Sequence, residues 1–510
     1  MPVNVLIGEP LSFDDVVAVA VDGARVEASP GLAGRMAPAR AVVDAAVEAG
    51  EAVYGISTGI GDLANVRIDT GMATQLQRDL VLSHSTAVGT PLAREVVRAM
   101  LLLKARTFAI GASGVRVEIV ERLIELLNQG IHPVVPSQGS LGASGDLALL
   151  AHLAGPLIGE GKVEYRDDVM AAADALRKVG LEPLELSHKE GLSLINGTEG
   201  MLALGILSFE RAQRIARTAD ITGAMAVEAL LGTDQAFAER IVSLRKHPGA
   251  LKVAANLRNL LTDSPIVASH RHSDHLVQDA YSLRCIPQVH GAYRDGLEYI
   301  RMILEAELAS AIDNPSVIVD TGEVLSGGNF HGEALALALD HLGLCVAGYA
   351  TIAERRVARL VDPHLNNGLP AFLTETPGRS SGFMIAQYTA ASIVSENRGL
   401  CFPASSDSIP TSAGQEDHVS MGATSGRKAY SIVTNTQNVL AIEAMAAGQG
   451  IDLREQAPAA GTGSALEVIR SVTPKLTHDR SLSDEIEAVR GQIGSGALIE
   501  AAAAACGGLA

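Results

Sequence analysis

Long stretches of this chain lack proline and repeat apolar residues at close to the 3.6-residue spacing of one helix face. Segments 199–231 and 332–360 are the longest, and both exceed the usual length of a helix in a compact domain. Their faces are rich in Ala and Leu and poor in charge, which indicates burial on several sides. Such helices are typical of a bundle in which long helices pack side by side. Other segments of this kind are 92–110, 294–312, 382–399 and 436–447.

The composition favours helix over sheet. Aromatic residues make up 3% of the 510 residues and tryptophan is absent, which argues against a β-sandwich or barrel. Near the start, residues 3–7 suggest a short strand, and Ser12 with Asp15 forms a capping box. We therefore predict a mainly α fold, with a bundle of long central helices and a smaller, mixed N-terminal region. The predicted division is at residue 200, with the long-helix region over 201–510.

Charge and targeting signals narrow the cellular context. The net charge of −18 argues against nucleic acid as the main partner, because the phosphate backbone selects basic surfaces. The start of the chain lacks the basic and apolar pattern of a signal peptide. The apolar window 334–353 carries Asp340 and His341 near its middle, which favours a buried core helix over a membrane span. We expect a cytoplasmic protein that does not bind membranes. Reduced thiols are expected for the four scattered cysteines, Cys285, Cys345, Cys401 and Cys506.

One loop can build an electrophile from the backbone. Residues 136–146 contain three glycines and precede an apolar helical run at 147–153. In a tight bend the Gly145 nitrogen can attack the Ala143 carbonyl, since glycine has no side chain to block the approach. Loss of water and dehydration of Ser144 would then leave a five-membered ring with an exocyclic methylene. The tripeptide alone does not decide the matter, because Ala-Ser-Gly recurs at 112–114, where we interpret it as a loop that leads into a helix.

Seven motifs together carry a resemblance to a known family. Their order and content resemble the aromatic amino acid lyases that use a methylidene-imidazolone (MIO) group, and within them the branch that acts on histidine. The motifs span most of the chain, from about residue 54 to 421. They are YGISTGIG at 54–61, LSHS at 82–85, GSLGASGD at 139–146, NGT at 196–198, QDAYSLRCIPQ at 278–288, SGGNFH at 326–331 and QEDHVSM at 415–421.

The resemblance implies roles for the residues that carry the chemistry. Ala143, Ser144 and Gly145 would form the MIO ring, which bonds the substrate amine and improves its departure. Tyr54 matches the catalytic tyrosine that takes the β-proton, a role that requires a lowered phenol pKa. The residues that match contacts to the ring or the substrate are Tyr281, Asn196 and Phe330, and Gln288 would support them.

Substrate recognition follows from the same resemblance. Arg284 matches the residue that clamps the substrate carboxylate, for which a guanidinium is suited by its paired donors. The Ser-His pair that ends at His84 looks like the histidine-specific version of a selectivity position, and Glu416 could hold the imidazole. We expect conversion of L-histidine to trans-urocanate and ammonia, as a step of histidine breakdown, in a homotetramer whose active sites are shared between subunits. Neither a metal nor an external cofactor is expected.

Alternatives stay open at this point. A phenylalanine or tyrosine lyase, or a 2,3-aminomutase, would keep the MIO group and change the substrate or the outcome. A helical scaffold that never forms the ring is the third alternative. A metal site in the His- and Asp-rich segment 270–275 is disfavoured relative to a polar active-site loop. Departures from the family pattern put strict histidine preference in doubt, and they are Ile60, Ser85, Thr86, Glu199 and Gly414.

Overall fold

Helices dominate the architecture, which confirms the predicted mainly α fold. The computed structural model describes residues 4–50, 53–55, 58–59, 62, 72–142, 146–273 and 276–510. In chain order the helices of these residues are α1 (Phe13–Ala20), α2 (Leu32–Glu48), α3 (Ala73–His84), α4 (Arg94–Ala109), α5 (Val117–Gln129), α6 (Leu147–Ala154), α7 (Ala172–Lys178), α8 (Glu190–Ile195), α9 (Glu199–Ala229), α10 (Glu239–Val242), α11 (Pro248–Leu260), α12 (Pro265–Ser269), α13 (Tyr281–Arg284), α14 (Ile286–Ala309), α15 (Glu333–Val361), α16 (Met384–Leu400), α17 (Gly422–Asp452), α18 (Ala460–Val472), α19 (Ser483–Ser495) and α20 (Ala497–Cys506).

The strands are short and form four small sheets in the described residues. The β1 and β2 strands pair in parallel, β3 pairs with β5, β4–β6–β7 form an antiparallel sheet, and β8 pairs with β9. Sheets of this size cannot carry a core, so the long helices must do so. The strands are β1 (Val5–Ile7), β2 (Val26–Ala28), β3 (Val88–Pro91), β4 (Ile131–Pro133), β5 (Pro136–Gln138), β6 (Lys162–Tyr165), β7 (Asp168–Ala171), β8 (Ser316–Ile318) and β9 (Glu323–Leu325).

The chain forms two compact units that interleave along the sequence. Unit 1 comprises 1–207, 302–340 and 403–427, and unit 2 comprises 208–301, 341–402 and 428–510. The division falls inside α9, α14, α15 and α17, so each of these helices contributes residues to both units. The division at residue 200 stays a prediction.

Local signals explain several helix ends. Ser12 caps α1, accepting from the Asp15 backbone nitrogen while the Asp15 side chain accepts from the Ser12 nitrogen, so the predicted capping box is confirmed. Helix α14 begins at Ile286, well before the predicted residue 294. Pro287 stands in its first turn, where the missing N–H costs nothing.

Helix α15 coincides with the apolar window of the sequence. It is the one helix of the described residues that is long and apolar enough to cross a membrane by length and composition, and 67% of its most apolar window is buried. The core helix of a soluble protein also meets these criteria of length and composition, and the burial of this window is consistent with the predicted core helix.

Glycines inside helices allow backbones to approach closely. At Gly291 in α14, a Cβ atom would lie 2.3 Å from the Ala250 nitrogen and 2.5 Å from the Ala250 Cα in α11. Similarly, a Cβ at Gly450 in α17 would lie 2.9 Å from the Ala229 Cβ. These contacts are to backbone or to a short side chain, which cannot rotate away. The glycines are therefore requirements of helix packing, although they are unfavourable in an isolated helix.

Substitution of Gly291 by alanine should destabilise unit 2. Since the new methyl group meets the α11 backbone, we expect Gly291→Ala to lower the free energy of unfolding by about 3 kcal/mol. Gly491 in α19 provides a matched control, because a Cβ there meets nothing within 4 Å. Gly491→Ala should raise stability by about 0.5–1 kcal/mol. Thermal denaturation measures both, and equal midpoints for the two variants would contradict the packing role.

Candidate active site

The tripeptide Ala143, Ser144 and Gly145 lies outside the described residues, but both of its flanks are described. On the entry side, the Gly142 carbonyl accepts from Ser420 Oγ at 3.0 Å and from the Gly332 nitrogen at 3.3 Å. The Leu141 carbonyl accepts from the Met421 nitrogen at 2.7 Å. Two other motif regions thus hold the start of the loop. One is the motif 415–421, and the other is Gly332, which directly follows the motif 326–331.

A side chain at Gly142 would be strained and would meet the Ser420 segment at this anchor. Its φ of +76° lies in the left-handed region, and a Cβ would lie 2.2 Å from Ser420 Oγ. The glycine of the motif therefore serves both the bend and the close approach of the Ser420 segment.

On the exit side, Asp146 ties the loop to the Asn-Gly-Thr motif. Its nitrogen donates to the Gly197 carbonyl at 2.6 Å, and its buried carboxyl accepts from the Met201 nitrogen at 2.9 Å and from Ser140 Oγ at 3.3 Å. The pKa of Asp146 is raised to about 7, chiefly by burial and also by the nearby charge of Glu199, which together outweigh the hydrogen bonds that lower it. Near neutral pH this carboxyl can therefore hold or release a proton directly beside the tripeptide.

The described flanks fit a ring formed within the loop. Hydrogen bonds from separate segments hold both flanks, and the buried carboxyl of Asp146 offers a group for proton transfer. The second Ala-Ser-Gly copy, at 112–114, lies in a loop that leads into α5, as predicted.

The loop of Tyr54 packs against α8, the helix that ends just before Asn196. Tyr54 is half-buried, and Gly55 beside it has a φ of +65°; a Cβ there would lie 2.1 Å from Leu192 Cδ2. The fully buried Gln77 joins the two segments, since its Nε2 donates to the Gly55 carbonyl at 3.4 Å and its Oε1 accepts from the Leu192 nitrogen at 3.1 Å. No motif signal marks Gln77, so only the tertiary structure identifies it as a support of the Tyr54 loop.

Asn196 is buried and its side chain is held by a turn that the motifs did not include. Its Nδ2 donates to the Asn314 carbonyl at 2.9 Å and to Asp313 Oδ1 at 3.3 Å.

The structure also explains Glu199, one of the residues that depart from the family pattern. Its carboxylate is fully buried and lies 3.0 Å from Lys104 Nζ, so its charge is matched by an equally buried cation. Removing either partner alone would be costly.

His84 and Glu416 are both half-buried in unit 1. The Nδ1 of His84 lies 2.8 Å from the Leu80 carbonyl, which can only accept, so the hydrogen bond assigns the proton to Nδ1. The Nε2 of a neutral His84 is then an acceptor. The Oε2 of Glu416 accepts from Thr411 Oγ1 at 2.7 Å.

Gly414 is another residue that departs from the family pattern. Its φ of +89° lies in a region that Asn also tolerates, so a glycine in place of the usual Asn preserves the backbone conformation.

Side chains next to the half-buried Phe330 resemble a metal site in composition. Ligand atoms of His331, Glu333 and His418 all lie within 4.8 Å of one another. The two imidazole rings are stacked, however, with centroids 5.8 Å apart and planes at 5°. Their lone pairs therefore lie in two nearly parallel planes and cannot both point directly at one ion. His331 Nε2 also contacts the His418 carbonyl at 3.2 Å. We assign no metal to this group.

Unit 2 contains Tyr281, Arg284 and Gln288. The Arg284 guanidinium stacks on the Tyr281 ring at 4.6 Å and its Nε donates to the Asp279 carbonyl at 2.9 Å. Its two Nη groups have no partner among the described residues and remain available for a carboxylate. Tyr281 is 72% exposed, and Gln288 is half-buried in the first turn of α14.

The segment 270–275 gives no metal geometry in its described part. His270 Nε2 lies 2.9 Å from the Gly232 carbonyl, and Arg271 pairs with Asp234 at 2.9 Å. Asp274 and His275 lie outside the described residues. The predicted polar loop is consistent with these contacts, although its part in an active site stays a prediction.

Comparison with known proteins identifies the family. The family model of aromatic amino acid lyases matches residues 11–471. The chain belongs to the aromatic amino acid lyase family. A histidine ammonia-lyase of Gloeobacter violaceus is 52% identical over 99% of this chain and 98% of its own length, and one of Deinococcus radiodurans is 50% identical over 98% and 95%.

Solved structures show that this lyase shares its fold both with an ammonia-lyase and with an aminomutase. A histidine ammonia-lyase from Trypanosoma cruzi superposes with a TM-score of 0.90 at 42% identity, covering 98% of this chain and 95% of that chain. A tyrosine aminomutase from Streptomyces globisporus superposes with a TM-score of 0.94 at 38% identity, covering 99% of both chains. The fold thus defines the family, and the substrate must be argued from the site.

The stability of the lyase should depend on pH through Asp146. Its pKa is raised from 3.8 to about 7 in the folded state, so the folded state binds more protons than the unfolded state between these values. The free energy of unfolding therefore falls as pH rises through this window. Asn mimics the protonated acid, so the stability of Asp146→Asn relative to the natural protein should increase by up to about 4 kcal/mol across the window.

Denaturation at pH 5 and pH 8 covers the upper two pH units of this window, so the relative gain expected between these two measurements is about 2.7 kcal/mol. An Asn substitution at the exposed Asp320 should show no such trend. A stability difference for Asp146→Asn that does not change with pH would contradict the raised pKa.

Proposed function

We propose that this lyase eliminates ammonia from L-histidine to give trans-urocanate. The observation that carries the proposal is the 52% identity, over nearly the whole chain, to a protein named histidine ammonia-lyase. A Ser-His pair at 83–84 and a carboxylate at Glu416, both in unit 1, agree with an imidazole substrate.

We further propose that residues 143–145 form an MIO group. This group supplies an electrophile that bonds the substrate amine and makes it a better leaving group. Asp146, with its buried carboxyl and raised pKa, is placed to exchange protons next to the tripeptide. Tyr54, on the loop that Gln77 joins to α8, is our candidate for the base that takes the β-proton.

The carboxylate and the ring of the substrate need different partners. Arg284 has two free Nη donors on a guanidinium that Tyr281 and the Asp279 carbonyl hold in place, which suits bidentate binding of a carboxylate. His84 Nε2 and the Glu416 carboxylate are both acceptors. An imidazolium ring presents two N–H donors, whereas a phenyl ring presents none, so this pair selects against phenylalanine.

A tyrosine-directed activity is the second candidate. The TM-score of 0.94 to a tyrosine aminomutase favours it, since that fold supports a rearrangement in place of release. The phenol of tyrosine offers one O–H donor, which one of the two acceptors could bind. The substrate and product tests below distinguish these activities.

We propose that the protein is a homotetramer whose active sites are shared between subunits, and that it takes part in histidine breakdown; membership of the family supports both proposals. We also propose that it lies in the cytoplasm. The four cysteines are free thiols, as expected in a reducing compartment, and this supports the proposed location. Light scattering of the purified protein measures the subunit number directly.

Intact mass and a substrate panel test the proposed chemistry. The mature chain should be lighter than its sequence mass by two water molecules, and Ser144→Ala should abolish both this deficit and turnover. Ser113→Ala, in the second Ala-Ser-Gly copy, should do neither. Histidine, tyrosine and phenylalanine are offered separately, and ultraviolet absorbance of the conjugated acid and chromatography of β-amino acids are recorded. A full-mass chain would indicate a scaffold, and absorbance with tyrosine alone would reject histidine as the substrate.

Glu416 provides a test of imidazole recognition. Because Glu416→Gln loses a charge-assisted hydrogen bond, we expect kcat/KM for histidine to fall about 10–100-fold. Its exposed neighbour offers a control, since Asp417→Asn changes the same charge nearby and should leave kcat/KM within about twofold. Equal effects of the two substitutions would show that Glu416 acts only through long-range charge.

A further inference from the structure

Helices α9, α11 and α14 line a cavity of about 220 Å³ in unit 2, and most of the charged side chains in it are cationic. Glu298 is the one carboxylate side chain among the described residues that line the cavity. This local charge is opposite in sign to the net charge of −18 of the whole chain. A concave site lined by one sign of charge concentrates small ions of the opposite sign. The cations are Arg217, Lys252, Arg294 and Arg301.

Two of the cations are exposed and have no short contact with an acid. No ion pair or hydrogen bond joins the Arg217 side chain to another described residue, and Lys252 Nζ lies 3.9 Å from Glu298 Oε1, beyond hydrogen-bonding distance. Both side chains can therefore turn towards a bound anion without breaking a close ion pair.

Arg301 is held in place by neutral groups. Its guanidinium donates to Gln213 Oε1 at 2.8 Å and lies over the Phe209 ring, 5.0 Å from the centroid. Its Nε lies 3.7 Å from Glu298 Oε2, again beyond hydrogen-bonding distance. Glu298 thus stands between two cations, Lys252 and Arg301, and makes a hydrogen bond to neither of them.

Arg294 supplies a buried donor that lacks an acceptor. Its side chain is 12% exposed and donates to Asp220 Oδ2 at 2.7 Å and to the Ala510 carbonyl at 2.9 Å. Its Nε is buried and has no acceptor among the described residues, which is rare in native proteins, so this N–H needs an acceptor from outside the chain. Even with Asp220, Glu298 and a carboxylate at Ala510 counted against them, the four cations of the cavity remain in excess.

We propose that this cavity binds a small oxyanion of the phosphate type, either free or as the phosphate group of a larger metabolite. Guanidinium groups present paired donors that match the oxygens of such an ion, and an ammonium adds a mobile point charge. The site goes beyond the proposed lyase chemistry, since Tyr281, Arg284 and Gln288 are not among the residues that line the cavity. A bound anion would link α9, α11 and α14 and so stabilise unit 2.

Calorimetric titration of the full chain with inorganic phosphate, near neutral pH and at constant ionic strength, tests the proposal. We expect saturable binding, and Arg217→Gln with Lys252→Gln should raise Kd at least about tenfold because two charged donors are lost. Both side chains are exposed, so the double variant should fold normally. The matched control is Arg240→Gln with Arg245→Gln, which removes the same charge at exposed positions outside the cavity and should keep Kd within about twofold.

A second substitution should change the affinity in the opposite direction. Glu298→Gln removes the carboxylate that competes for Lys252 and Arg301, so Kd should fall about threefold or more. Glu239→Gln is its control, because Glu239 also lies 3.9 Å from an arginine, Arg258, but does not line the cavity, and Kd should stay within about twofold. An unchanged Kd in Glu298→Gln would contradict the proposed site.

The remaining outcomes separate this cavity from other ways in which phosphate can act. Saturable binding that is unchanged in Arg217→Gln with Lys252→Gln would place the ion elsewhere, for example at Arg284, and would overturn the proposal. Phosphate also stabilises proteins as an excluded salt. A thermal midpoint that rises without saturation and equally in all variants, with no heat of binding, would therefore show an adventitious ion only and would overturn it too.

Three probes define the ligand class. Acetate at the same ionic strength should bind at least about tenfold more weakly than phosphate, because it offers fewer oxygens and less charge, and equal affinities would contradict the phosphate class. Glycerol 3-phosphate is compared with inorganic phosphate. Tighter binding of the ester assigns the cavity to the phosphate group of a larger metabolite, and tighter binding of inorganic phosphate assigns it to the free ion.

Discussion

The hydrogen bonds that hold the two flanks of residues 143–145 are the constraint on which the candidate site depends. Gly142 and Leu141 are bound by the segments at 332 and 420–421, and Asp146 is bound by Gly197. These contacts bring residues that are far apart in the sequence to the same short loop. Most of these contacts join backbone atoms, and Ser420 contributes its side-chain hydroxyl. A reaction between neighbouring backbone groups benefits from such fixed ends.

Unit 1 buries several charged side chains, and it contains two ion pairs that are almost fully buried. Lys104 lies against Glu199, and Lys189 lies against Asp313. The attraction within each pair offsets much of the cost of burial, and the hydrogen bonds to neighbouring backbone fix the geometry. Asp146 differs because no cation pairs with it among the described residues, and burial therefore raises its pKa. The same unit thus contains both buried ion pairs and a buried carboxyl, that of Asp146, whose pKa lies near neutral pH.

Prediction from sequence succeeded where the signal was local or repeated. The apolar spacing located α9 and α15 to within a few residues, and Ser12 with Asp15 marked the start of α1. It was incomplete for α17, where only 436–447 of the helix was predicted. In the structure a Cβ at Gly448 would lie 2.8 Å from Leu466 Cδ1, so that glycine serves helix packing. Packing partners of this kind are invisible in a single sequence.

The sequence by itself determined the helical class, the family resemblance and the choice of the candidate tripeptide, since spacing and motifs are properties of neighbouring residues. Only the tertiary structure decided which groups support the site. Gln77 and Asp313 belong to no motif, yet one joins the Tyr54 loop to α8 and the other holds Asn196. It also decided that Glu199 is matched by Lys104. These roles arise from long-range contacts and burial, and neither exists until the chain is folded.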